Sequence, residues 1–244
     1  MENVMNEWKK VWNNKTCDED LSDLNFEDLL IKMKIMAGYD SHGQCKISYA
    51  SFCKEYYEMI ENLSERNGII KRINSIYEIG CGSGANLLLA QRDKMAIGGV
   101  DYSTGVIDFA RKIFGENADI INDEAIHVPV SPKYDVCVSN GVFPYFVDED
   151  YASKVLDIML EKSNLSMGIL HLHDKEREKE IIEYNRNSIR NYDERYINLQ
   201  KTFYSKDFFY DFAMKNGLHI KITLPNLACY WNNNFVYNVF MYKF

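Results

Sequence analysis

INSIYEIGCGSGANLLLA, residues 73–90, joins a short apolar run to a helical pattern through Gly80, Gly82 and Gly84. A run such as 76–79, closed by glycine, reads as a buried strand, and the residues after Gly84 read as a helix. Missing Cβ atoms at Gly80 and Gly82 let the chain turn and let ligand atoms approach the backbone, while the helix start aims free N–H groups at a carboxylate or phosphate. The next strand ends in GGVDYS, so Asp101 stands at its tip, about twenty residues beyond the first glycine. A carboxylate there accepts both hydroxyls of a ribose, each charge-assisted bond contributing roughly 1.5–3 kcal/mol. A nucleoside ligand is implied, although the spacing with Ala85 fits a dinucleotide equally well.

Outward from this stretch, strands are predicted at 76–79, 96–100, 119–121, 134–139, 167–171, 218–223 and 235–242. Helices are predicted near 84–93, 104–114, 149–162, 174–186 and 206–216. The alternation implies an α/β, Rossmann-like sheet of seven strands, mostly parallel, with helices on both faces. The last two strands have no helix between them and are expected to form an antiparallel edge hairpin. Residues 1–70 are expected to be a helical cap carrying acceptor-side contacts, with 71–244 as the nucleoside-binding domain. Leu29, Leu30, Met33 and Met36, then Phe52, Tyr56, Met59 and Leu63, set the cap's apolar spacing; Gly68 reads as a helix stop, and 37–50 as a loop.

Composition narrows the partners. A net charge of -8 argues against a nucleic-acid backbone, which needs clustered Lys and Arg. No run approaches the ~20 apolar residues of a membrane helix, and MENVMNEWKKVW lacks a signal peptide's apolar core, so a cytoplasmic monomer or homodimer with a small-molecule partner is expected. The 6 cysteines include no CxxC pair, which suits reduced thiols and no metal site.

Taken together, YEIGCGSGAN, GGVDYS, INDEAIHVP, YDVCVSNGVFPYF and FYSKDFFYDFAMKNGLHI resemble class I S-adenosylmethionine-dependent methyltransferases over residues from about 70 to 244. GYDSHGQCKIS and YWNNNFVYNVFMYK further resemble a bacterial small-molecule subgroup, some of it in surface-polysaccharide modification, including capsular O-methyl phosphoramidate pathways. The resemblance implies S-adenosylmethionine as cofactor, with Glu78 and the backbone of Gly80, Cys81 and Gly82 at its methionine part and Asp101 at its ribose. Tyr102 would lie against adenine, Asp123 or Glu124 would accept its amino hydrogens, and Ala125 would donate through its backbone. Ser139 and Asn140 would serve the cofactor amino group, and VFPYF would wall the transfer site, its Tyr145 orienting the acceptor. Aromatic faces suit a sulfonium. Tyr39 would help close the cap over the cofactor.

GILHLHD supplies His171, His173 and Asp174. Strand alternation would send both histidines to one face, and His173 or Asp174 is the preferred general base for an oxygen acceptor. Asp40 and His42 form a second set. Arg186, Arg190 and Tyr230 are the candidates for holding an acceptor, the arginines for an anionic one. Oxygen is preferred to nitrogen as acceptor atom, with N-methylation of a small amine as the alternative. An NAD-dependent oxidoreductase is the reading from another class; it would need a second mononucleotide-binding half, which the closing hairpin does not supply.

Overall fold

The computed structural model describes residues 2–15, 21, 23–39 and 47–244. Asp40 and His42 lie outside the described residues. Seven strands, β1 Ser75–Ile79, β2 Ala96–Asp101, β3 Asp119–Asn122, β4 Tyr134–Asn140, β5 Ser163–His173, β6 His219–Thr223 and β7 Val236–Tyr242, form one sheet in the order β3-β2-β1-β4-β5-β7-β6. The first five run parallel; β7 is antiparallel to both β5 and β6, so the hairpin closes one side with β6 outermost. Helices α1 Glu2–Asn13, α2 Phe26–Met36 and α3 Tyr49–Ser64 precede the sheet. Then come α4 Ala85–Arg92, α5 Thr104–Phe114, α6 Glu149–Lys162, α7 Glu178–Ser188, α8 Tyr192–Arg195 and α9 Lys206–Lys215.

Period-two alternation in the central strands explains the two layers. Ile76, Val136 and Val138 pack on one face under α2 to α5, whereas Tyr77, Ile79, Cys137 and Ile169 pack on the other under α6 and α9. Both faces are covered, so β7 buries all 7 of its residues rather than alternating. Helix α3 presents Phe52, Tyr56, Met59 and Leu63 as its buried stripe and starts at Ser48, whose hydroxyl accepts the Ser51 N–H at 3.2 Å. Helix α6 starts at Asp148, which accepts from Tyr151 N at 2.8 Å.

Strand register positions the site. Ile79 is level with Val100 on β2 and with Ser139 on β4, and Asp101 is level with Asn122. The chain leaves β1 toward β2 and β3, then returns on the opposite side of β1 to form β4. This reversal opens a crevice beyond the carboxyl ends of β1 and β4.

Three sequence expectations change. Helix α3 stops at Ser64, and Gly68 instead turns a small ribbon pairing Glu65–Arg66 with Ile69–Ile70, where Asn67 (φ 50°) and Gly68 (φ 82°) are both left-handed. An Asn-Gly pair meets that demand of a tight hairpin. Second, strand alternation fails at β5: its register against β7 shifts between Ile169 and Leu172, and His171 has φ 56°. The bulge separates the two histidines, so His171 packs on Tyr230 and His173 on Phe203. Third, Cys53, Cys81 and Cys137 are free thiols, but Cys229 is disulfide-bonded.

Candidate active site

The glycine turn follows directly from β1. Gly80 N and Cys81 N both donate to Val100 O, at 2.7 and 2.9 Å, which bends the chain sharply at the strand end. Gly80 has φ 70°, and a Cβ there would lie 2.3 Å from a Val142 methyl, so both conformation and space require glycine. Gly84, φ 82°, then starts α4; a Cβ on it would meet the Phe114 ring at 2.5 Å. The loop closes on β2 through Gly82, whose N–H donates to Asp101 Oδ2 at 3.0 Å, while Ser103 N donates to Oδ1 at 2.9 Å.

These tips line one cleft, enclosing about 990 Å3 with its open mouth included. Glu78, Gly80, Cys81, Gly82, Asp101, Tyr102, Asp123, Ala125, Asn140, Tyr145 and Tyr39 all line it. Trp12, Lys34, Ala37, Asn86, Val106 and Tyr151 line it too, and were not singled out in the sequence. Asn86 stands inside the glycine stretch itself, whereas Trp12 and Lys34 arrive on α1 and α2 by tertiary packing and carry no local motif.

Electrostatics distinguish the acids. Burial pushes Asp101 up to about 6, against the opposing pull of the Ser103 and Gly82 N–H bonds. Burial likewise pushes Glu78 up to about 7, opposed by its Asn86 hydrogen bond and by Lys34. Asp123 is held below the usual carboxylate range by His127, whose Nδ1 lies 2.8 Å from Oδ1, and by the Glu124 N–H. Glu124 does not line the cleft: its carboxylate pairs with Lys9 and accepts from Tyr151 OH at 3.5 Å. Of the two acids in INDEA, Asp123 is therefore the one facing the cleft. Ser139 is fully buried behind the wall, and Asn140 reaches it.

Aromatic rings close the cleft. Tyr145 is met edge-on by Trp8 at 4.7 Å and by Trp12 at 5.6 Å, with Lys201 Nζ 5.3 Å from its ring. Helix α1 is tied there because Trp8 Nε1 donates to Gln200 O and Ser103 Oγ donates to Trp12 O, both at 3.0 Å. Behind Tyr39 lies a buried polar chain. Glu78 Oε1 accepts from Asn86 Nδ2 at 2.7 Å, and Asn86 Oδ1 accepts from Lys34 Nζ at 3.0 Å. Lys34 Nζ is 3.7 Å from Glu55 Oε2, and Glu55 Oε1 is 2.9 Å from His171 Nε2, although that ring N–H does not point squarely at the oxygen.

The remaining candidates lie outside the cleft lining. His173 is buried against Phe203, and burial, then Lys201 and His171, lower its pKa well below the ordinary histidine value. Asp174 accepts from Glu176 N and pairs with Lys206 at 2.9 Å. Arg186 Nε holds both Asp193 oxygens at 3.0 Å on the surface, and Arg190 is exposed in the following turn. Tyr230 stands behind Tyr39, its ring 6.0 Å away. Among the described residues no three His, Cys, Asp or Glu side chains converge as a metal site requires, and no helix is long and apolar enough to cross a membrane.

The residues facing the cleft fit S-adenosylmethionine. Glu78 Oε2 and Asn140 Oδ1 are buried polar atoms without a hydrogen-bond partner, and the Gly80 cradle leaves room for nothing bulkier than backbone.

Comparison with known proteins agrees. A family model described as a methyltransferase domain matches residues 76–161. Malonyl-[acyl-carrier protein] O-methyltransferases of Priestia megaterium and Acetivibrio thermocellus are each 28% identical, over 121 and 105 residues, or 48% and 41% of this chain. The matches cover only 44% and 37% of those proteins. Among solved structures, the plantazolicin methyltransferase BpumL in complex with a triazolic desmethylPZN analog and SAH superposes with a TM-score of 0.62 at 17% identity, covering 97% of this chain and 98% of that one. Geranyl diphosphate C-methyltransferase from Streptomyces coelicolor A3(2) gives 0.60 at 12%, over 98% and 97%. The chain thus has the seven-stranded fold of these methyltransferases, and its residues 76–161 match a methyltransferase domain.

Proposed function

We propose that this chain is an S-adenosylmethionine-dependent methyltransferase that methylates a small polar acceptor at oxygen. One observation carries the reading: Glu78, Gly80, Gly82, Asp101, Asp123 and Asn140, brought from the ends of β1, β2, β3 and β4, face a single cleft. When bound, S-adenosylmethionine supplies a methyl group on a positively charged sulfur. Each Asp101 oxygen already accepts one backbone N–H but has a second lone-pair direction left for a ribose hydroxyl. Tyr102 offers a ring to adenine and Asp123 an acceptor to its amino group. Tyr39, Tyr145, Phe146 and Tyr151 line the cleft with apolar surface, and aromatic rings attract a sulfonium. Holding donor and acceptor in line contributes on the order of 7–11 kcal/mol to such a displacement.

Of Tyr145, His173 and Asp174, Tyr145 is the one on the cleft wall, so it is assigned to orienting the acceptor. Oxygen as acceptor atom is supported by the curated relatives, both named O-methyltransferases. The resemblance of 38–48 and 230–243 to polysaccharide-modifying enzymes supports a sugar, phosphate-type or phosphoramidate-linked metabolite. Transfer of a labelled methyl group to a panel of sugar, phosphorylated and amine acceptors separates this from N-methylation.

Calorimetric titration with S-adenosylhomocysteine tests the donor site. Asp101→Ala should bind ~10-fold more weakly or worse through lost ribose bonds; undiminished affinity would contradict the assignment. A pH series adds a second expectation. Asp101 at about 6 and Glu78 at about 7 each lose acceptor capacity on protonation, so wild-type affinity should fall as pH drops from 7.5 to 5.5. A flat profile would show that neither carboxylate holds the ligand.

A further inference from the structure

Most lysines beside the cleft have their donors committed. Lys9 pairs with Glu124, Lys15 donates to Met36 O, and Lys34 donates to Asn86 Oδ1. Lys201 differs. Among the described residues its ammonium has neither a hydrogen-bond acceptor nor a carboxylate partner, and its close company is aromatic: the Tyr145 ring at 5.3 Å and the Trp8 ring at 6.0 Å. Ring faces attract the charge but leave all three N–H donors unspent. The side chain is half-buried, so part of its hydration is given up without a counter-charge in return, in a chain whose net charge of -8 shows no shortage of carboxylates.

The backbone on either side fixes where this charge sits. Gln200 O accepts from Trp8 Nε1 at 3.0 Å, Thr202 N donates to Pro144 O at 2.8 Å, and Thr202 Oγ1 donates to Phe146 O at 2.6 Å. Lys201 is thereby fastened to α1 and to the 143–146 turn, the two elements that bring Trp12, Tyr145 and Phe146 to the cleft. Two residues on, Phe203 packs on His173, which is 4% exposed and keeps its Nδ1 buried without a hydrogen-bond partner. Lys201 lies within electrostatic reach of that ring. A charge with unspent donors, held against the wall of a transfer site, calls for an anion. We propose that Lys201 selects an anionic acceptor, its ammonium holding a carboxylate or phosphate group beside Tyr145. This rests on the methyltransferase reading above, and it gives Lys201 the role that the sequence suggested for Arg186 and Arg190, which lie outside the cleft lining.

Titration of the full chain with malonate, inorganic phosphate and the uncharged control glycerol, each with and without saturating S-adenosylhomocysteine, tests the assignment. Wild type should bind at least one of the anions and not glycerol; which anion binds tells carboxylate from phosphate. Lys201→Met should weaken that anion by about ten-fold or more, the loss of one charge-assisted hydrogen bond, and hold S-adenosylhomocysteine within about two-fold of wild type. Lys201→Arg, which keeps the charge, should retain the anion within about three-fold. With a charged acceptor from the labelled-methyl panel, Lys201→Met should raise KM about ten-fold and leave kcat within about three-fold. Binding of neither anion by wild type overturns the proposal. So does a Lys201→Met protein that binds the anion as wild type does, or that loses anion and S-adenosylhomocysteine in equal measure, and so does transfer that favours an uncharged acceptor over its phosphorylated or carboxylated counterpart. Wild type that binds the anion but no S-adenosylhomocysteine would sink the donor reading and leave the anion site standing.

Discussion

Gly80→Ala is expected to bind S-adenosylhomocysteine on the order of a hundred-fold more weakly than wild type and to unfold at lower temperature. Two costs add. A left-handed conformation costs an alanine about 1–2 kcal/mol, and Gly80 has φ 70°. The new Cβ would lie 2.3 and 2.8 Å from the two Val142 methyls and 3.1 Å from Val142 Cβ, an overpacking worth about 1–3 kcal/mol. Relief requires the turn or the Val142 segment to move, and both line the cleft. A total near 3 kcal/mol corresponds to the stated loss. Gly82→Ala provides the contrast, because among the described residues a Cβ there meets only Ala37, whose Cβ lies at 3.6 Å and Cα at 3.9 Å, and just the conformational cost remains. Adding Val142→Ala to Gly80→Ala should recover roughly the steric part of the loss. Titration calorimetry and thermal melts of the four proteins decide the matter; a Gly80→Ala protein indistinguishable from wild type would show that the turn does not shape the cleft.

The strand-end wall of the cleft was legible because its requirements are local. Gly80, Gly82 and Asp101 lie at strand ends fixed by β-branched runs and glycine stops, and each is needed for a backbone reason that leaves a trace in the sequence. The same logic explains the limit at INDEA. Asp123 and Glu124 are equivalent as letters, and only the docking of Lys9 from α1 and Tyr151 from α6 draws Glu124 away from the cleft. The pair His171 and His173 shows a second kind of limit. Period-two reasoning assumes an unbroken ladder, and the bulge between Ile169 and Leu172 removes that assumption without any proline or glycine between them to mark it. Lys34, Glu55 and Trp12 had no local signal at all. Their amphipathic helices were legible, but which polar residue on each turns inward depends on charges supplied from elsewhere in the chain.

Glu55 shows what such a nonlocal charge is worth. Burial alone would push its carboxyl up, but the His171 ring, then Lys34 and the Tyr39 hydroxyl, more than reverse this and hold it below the usual carboxylate range. Glu55→Gln should therefore leave the Lys34 ammonium buried without this counter-charge and take the carboxylate away from the His171 ring. Removing one partner of a buried ion pair costs about 3–5 kcal/mol, a large part of the ~5–15 kcal/mol that holds a domain folded. For a chain of this size the melting temperature should fall by roughly 10 °C at neutral pH. The sign of the pH dependence follows from the lowered pKa. The stabilisation is fully present above the unfolded carboxyl value of about 4 and fades as pH falls through the folded value. Wild type and Glu55→Gln should thus converge in acid and separate toward neutrality. A double-mutant cycle with His171→Ala measures how much of the loss belongs to that pair, because the second change removes the ring that Glu55→Gln strands. Equal melting temperatures for wild type and Glu55→Gln at pH 7 would mean that the carboxylate is not the counter-charge of Lys34, and that the ammonium is balanced from the cleft instead.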